Sequence, residues 1–157
     1  MTFPFKNTQL KNSQTAYGAV SKLLHWLSAV IIIGLFILGF WMVELDYYSQ
    51  WYKTAPDWHR SVGILLCLAT LLRLWWKLKS ITPSAVVSHS VSTVKLAKTT
   101  HFLLYLLLFI IFISGYLIST AEGQNIAVFT WFEIPAFGEL FNVQADIAGV
   151  IHEYMAY

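Results

Sequence analysis

Four of the five histidines in this chain, His25, His59, His101 and His152, stand at or just inside the ends of strongly apolar runs. An imidazole is costly in hydrocarbon unless it is paired or bound to something, and ligation of a metal by its neutral nitrogen supplies such a reason. Two histidines from different helices at one depth could hold a haem iron between them, which leaves no open coordination position and suits electron transfer. The single cysteine, Cys67, excludes both a disulfide within the chain and the Cys-x-x-Cys-His attachment of a covalent haem. Any haem is therefore expected to be non-covalent haem b, and Cys67 reads as a small buried hydrophobe. The fifth histidine, His89, lies in a polar, Ser-rich stretch and reads as solvated.

Other residues could serve the same chemistry. Gly63 follows His59 by four residues, on the same helical face one turn deeper, where a missing side chain lets a flat porphyrin lie against the backbone. Gly115 falls at a similar mid-membrane depth, about four turns along the third helix from His101. Arg73, Lys77 and Lys79 read most simply as cations that snorkel to lipid phosphates. Arg73, the deepest, could in a secondary role pair with haem propionates or a quinone carbonyl. For any one histidine the plainer reading is a bond to a headgroup or carbonyl, with the glycines serving close helix packing. Matched depths tip the balance to ligation, above all for His59 with His152.

The elements that must position these residues are membrane helices. The 157 residues are 57% hydrophobic and only 11% charged, with mean hydropathy +0.61, well outside the soluble norm. Leu23 to Val43 is an almost uncharged run of the length that crosses roughly 30 Å of hydrocarbon. Further apolar runs cover Val62 to Trp76 and Phe102 to Ser119. A polar leader, 1–20, precedes the first, unlike a cleaved signal peptide. The expectation is an all-α membrane protein, a transmembrane up-and-down four-helix bundle. Its haem domain, 21–157, has three complete spans at about 22–44, 57–79 and 96–120, and the start of a fourth at about 143–157. Glu44 to Trp58 reads as an interfacial loop, Lys77 to Lys98 as a slack loop, and Ala121 to Ile151 as a long loop against the membrane surface. The tryptophans at span ends form interfacial belts.

Charge orients the bundle. Lys6, Lys11, Lys22, Arg73, Lys77, Lys79, Lys95 and Lys98 lie in the leader and the second loop, whereas all eight acidic residues fall in or beside the other loops. The positive-inside rule makes the N-terminus cytoplasmic, in a bacterial inner membrane. His25 and His101 then lie near the inner face, and His59 and His152 near the outer. A complete fourth crossing needs about 20 residues and only about ten remain, so the chain reads as a fragment or as ending at the outer interface. Membrane lipid is its surroundings; nucleic acid is not an expected partner, and a homodimer stays open.

Ordered along the chain are His25-Trp26, His59-Arg-Ser-Val-Gly63, Arg73-Leu-Trp-Trp-Lys77 before Thr82-Pro83, His101-Phe-Leu-Leu-Tyr105, Ser114-Gly115-Tyr116, Trp131-Phe-Glu-Ile-Pro135 and His152-Glu153. From Tyr17 onward the chain thereby resembles the bacterial cytochrome b561 family, related to the cytochrome b subunits of nickel-iron hydrogenases. The resemblance implies four helices and two haems b, held near the two faces by histidines of helices one, two and four. It implies that His59 and His152 ligate the outer haem and that His25 ligates the inner one, whose other usual ligand would lie beyond Tyr157. The inner haem is thus in doubt for this chain. His101 matches a family histidine placed near the inner haem or a quinone site, although depth alone would let it pair with His25.

The leading expectation is a membrane-bound di-haem cytochrome carrying electrons between the quinone pool and an unidentified periplasmic-side donor or acceptor. A superoxide:quinone oxidoreductase is an alternative, weakened because only Lys53 and Arg60 oppose eight carboxylates on the outer side. A non-catalytic anchor subunit of a respiratory complex is the alternative of another class.

Overall fold

The computed structural model describes residues 9–84 and 90–157; His89 lies outside them. The described residues form four helices, α1 (Ala19–Met42), α2 (Thr54–Lys79), α3 (Val91–Thr120) and α4 (Gln144–Ala156), with a two-stranded hairpin, β1 (Ile126–Val128) and β2 (Phe132–Ile134), between the last two. Helices α1, α2 and α3 are long and apolar enough to cross a membrane. The fold is an all-α membrane bundle, with α1 packed on α2 and α3 on α4.

Small residues make these contacts, as expected where lipid is as apolar as leucine and only close approach favours association. Ser28, Ser61, Thr70, Ser114 and Thr120 are all buried, whereas most of the large apolar side chains face outward. Several hydroxyls return to their own helix: Ser28 Oγ donates to the Leu24 carbonyl at 2.7 Å and Thr120 Oγ1 to that of Tyr116 at 2.9 Å. A hydroxyl satisfied in this way can sit in an apolar interface without an orphan donor.

Three segments differ from the sequence-based expectation. Helix α3 starts at Val91 because Ser90 caps it, its hydroxyl accepting from Thr93 N at 3.2 Å. Lys95 and Lys98 therefore stand on a helix and not in a loop. The segment after α3 holds the hairpin, paired in the register Ile126 to Ile134, Ala127 to Glu133 and Val128 to Phe132. It docks on α2, with Ile126 and Val128 buried. Ser61 Oγ accepts from Phe129 N at 3.0 Å and donates to the Ala127 carbonyl at 3.3 Å. The second half of the leader also folds. Asn12 Oδ1 accepts from Gly18 N and Ser21 Oγ, its Nδ2 donates to the Ile81 carbonyl, and Trp76 Nε1 donates to Ser21 Oγ. Gly18 permits this turn, since a Cβ there would fall on the backbone of Leu10 and Lys11.

Helix α4, which carries His152, is pinned by Gln144, 1% exposed. Its Oε1 accepts from Leu140 N at 2.7 Å and its Nε2 donates to the Leu117 carbonyl at 2.9 Å. Val143 just before it adopts φ 53°, a left-handed conformation that β-branched residues avoid. At the far end Tyr157 meets Phe36 and Phe40 of α1 edge-on. Replacing Gln144 by Leu leaves a backbone N–H and a carbonyl without partners, at about 1–3 kcal/mol each. The Gln144→Leu protein is expected to lose its folded state at lower temperature in detergent, followed by circular dichroism on heating.

Candidate haem centre

His59 lies in the second turn of α2 and His152 in the second half of α4. Both are near the bundle end that gathers the acidic loops. The two helices bring the rings to a centroid separation of 6.2 Å with planes 71° apart. Each ring rests on a glycine of the neighbouring helix in its pair. A Cβ on Gly39 of α1 would come within 3.2 Å of His59 Cε1, and one on Gly115 of α3 within 3.1 Å of His152 Cε1. No larger residue allows either ring its seat without displacement.

The two imidazoles are held differently. His152 Nδ1 donates to the Ile111 carbonyl at 3.0 Å and meets Ser114 Oγ at 3.1 Å. Because a carbonyl only accepts, this contact places the proton on Nδ1 and leaves Nε2 as the basic nitrogen. His59 Nδ1 is buried with no hydrogen-bond partner among the described residues. Further along α2, the backbone at Gly63 is open: a Cβ there would meet nothing within 4 Å.

At the opposite, basic end, His25 Nδ1 accepts from Arg73 Nη2 at 2.9 Å, and Trp26 stands edge-on to its ring at 5.3 Å. Arg73 and Lys77 lie over the Tyr105 ring, at 5.6 and 5.0 Å from its centroid. His101 lies one turn before Tyr105 on α3. Helix packing thus assembles His25, Arg73 and Tyr105 at one level, with His101 one turn away on α3, and His59 with His152 at another. Gly115 belongs with the second group, as the seat of His152 rather than a surface open to a porphyrin.

Gly39, Ser114 and the Ile111 carbonyl are the site elements that sequence reasoning missed. One signal was available for Gly39: a glycine inside an apolar helix weakens it by about 1 kcal/mol relative to alanine, so its presence asks for a packing reason.

The model of the family described as prokaryotic cytochrome b561 matches residues 16–157. The chain is also 48% identical over 146 residues to cytochrome b561 homolog 2 of Escherichia coli (strain K12), covering 93% of this chain and 78% of that protein. The chain belongs to the prokaryotic cytochrome b561 family. It is accordingly an integral membrane electron-transfer protein of a haem b-binding family.

The residues present fit such a group in this cytochrome. An imidazole nitrogen binds a metal at about 2 Å and lies roughly 1 Å from its ring centre, so two rings on one iron have centres about 6 Å apart. The 6.2 Å separation meets that requirement. Among the described residues no three His, Cys, Asp or Glu side chains gather to hold a bare ion. A porphyrin brings four nitrogens of its own and asks the protein for two axial ligands. Among the described residues the buried Nδ1 of His59 has no hydrogen-bond partner, an uncompensated burial that a functional role for the ring would explain.

Proposed function

We propose that this cytochrome carries electrons across a bacterial inner membrane between quinone and a redox partner on the acidic side, with its N-terminus in the cytoplasm. The observation that carries the reading is the facing of His59 and His152, from different helices, at 6.2 Å. These two residues would hold a haem b near the acidic end. His25 would hold a second haem near the basic end once its ring gives up the bond from Arg73, because an Nδ1 that accepts leaves the proton on Nε2. Haem b when bound supplies one-electron chemistry, and two imidazole ligands keep its iron closed to small molecules.

The protein's own contributions are positional. The glycine seats hold both rings in place, and the apolar helices exclude water. At the basic end Arg73, with His101 beside the cluster, offers hydrogen-bond donors that suit a propionate or a quinone carbonyl. Orientation follows from charge, since Lys22, Arg73, Lys77, Lys79, Lys95 and Lys98 all stand at the end proposed as cytoplasmic. Superoxide suits the opposite end poorly: eight carboxylates face Lys53 and Arg60 there, and Arg60 is already paired with Asp57.

The test is a pyridine haemochrome assay on the detergent-purified protein, followed by reduction with a short-chain quinol in liposomes. Haem b reduced by quinol is the expected result. A protein without a haem b spectrum would overturn the cytochrome reading, and haem that quinol does not reduce would overturn the quinone assignment.

A further inference from the structure

Ser114 is buried in α3, one residue before the glycine on which His152 rests. Its hydroxyl donates back to the Ile110 carbonyl at 2.8 Å, with that of Ile111 at 3.0 Å, so its lone pairs are free to accept. His152 Nδ1 lies 3.1 Å from that oxygen and 3.0 Å from the Ile111 carbonyl. Gly115 opens this approach, because a larger residue would stand between the ring and the helix backbone. Across the site, His59 Nδ1 has no such partner among the described residues.

From this asymmetry we infer that Ser114 is a positioning residue for the ligand His152, acting with the Ile111 carbonyl to fix the ring's orientation and Nδ1–H tautomer and adding to the basicity of Nε2. The inference rests on the reading of His59 and His152 as haem ligands. Hydrogen-bond partners behind a ligating histidine fix its orientation and strengthen it as a donor, and their loss weakens metal binding 10- to 100-fold, as an order of magnitude. A more basic imidazole favours ferric over ferrous iron. His152 is therefore the firmly held ligand and His59 the looser one, and the potential of the iron between them is set from the α3 side.

The test compares Ser114→Ala and Ser114→Thr in the haem-loaded protein. The control is Ser28→Ala, which removes a buried serine of α1 bonded within its own helix. Two quantities are read: the midpoint potential of the acidic-end haem, and the rate at which haem passes to apomyoglobin. Ser114→Ala is expected to release haem about 10-fold faster or more and to raise the potential. A tenfold loss of ferric preference would read as about 59 mV for one electron. Ser114→Thr, which keeps the hydroxyl, restores both, and Ser28→Ala changes neither. Unchanged potential and release in a Ser114→Ala protein whose haem stays six-coordinate would overturn the inference while leaving the ligand assignment standing. Failure of threonine to restore either value would overturn it as well. A wild-type protein with no haem at this end removes the ligand reading and the inference together.

Discussion

Alanine at either His59 or His152 abolishes the low-spin haem b signal of the acidic end, with haem at that site expected below about a tenth of wild type. The loss exceeds the 10- to 100-fold effect of removing a partner behind a ligand, as an order of magnitude, because here the metal bond itself is deleted. The two variants are expected to fail alike, since one iron asks for both rings and the described residues offer no third donor nearby. His25→Ala is the informative companion, because His25 sits with Arg73 at the other end of the bundle and its removal leaves the acidic-end signal in place. Reduced-minus-oxidised spectra and low-temperature electron paramagnetic resonance on the three proteins check this. Survival of the signal in the His152→Ala protein would remove His152 from the ligand set.

Leucine at Gly115 or Gly39 is expected to evict the haem almost as fully without touching a ligand. At Gly115 even the first added carbon would lie 3.1 Å from His152 Cε1 and 3.3 Å from its Nδ1, inside van der Waals contact. Leucine adds three more carbons, and overpacking of this kind costs typically 1–3 kcal/mol or more. The ring can relieve the clash by swinging away, which breaks its bond to the Ile111 carbonyl and carries Nε2 off line. Gly115→Ala is expected to give a smaller loss, and Gly39→Ala a smaller one still, because its contacts are 3.2 and 3.7 Å. Haem content per chain, with circular dichroism to verify that the helices persist, orders the series as Gly115→Leu, Gly115→Ala, Gly39→Ala from most to least damaging. Equal haem in all three would mean that the rings do not depend on these seats.

The glycine seats and the Ser114 bond link the fold to the chemistry through one route. In a bundle with few large buried side chains, the histidine rings have little side-chain packing to lean on. Backbone takes that part: two glycines let the rings touch helix surfaces, and one carbonyl holds a ring nitrogen. Gln144 then sets the rotation and height of α4 through its bond to Leu117, and with them the position of His152.

Membrane residence, the three long helices and the segregation of charge follow from the sequence, because hydropathy and charge are local quantities that a bilayer reads residue by residue. The family resemblance was legible for the same reason, in short motifs whose order along the chain survives without knowledge of contacts. Only the tertiary structure decided which surfaces meet. Gly39 and His59 lie on different helices, and His152 and Ser114 are 38 residues apart. The bond from Arg73 to His25, the hairpin on Ser61 and the leader on Trp76 are equally non-local. A membrane helix is apolar on nearly every face, so its 3.6-residue period does not mark the side that turns inward. Rotation about each helix axis is set by small residues and a few polar bonds between helices, and those are visible only once the helices are packed.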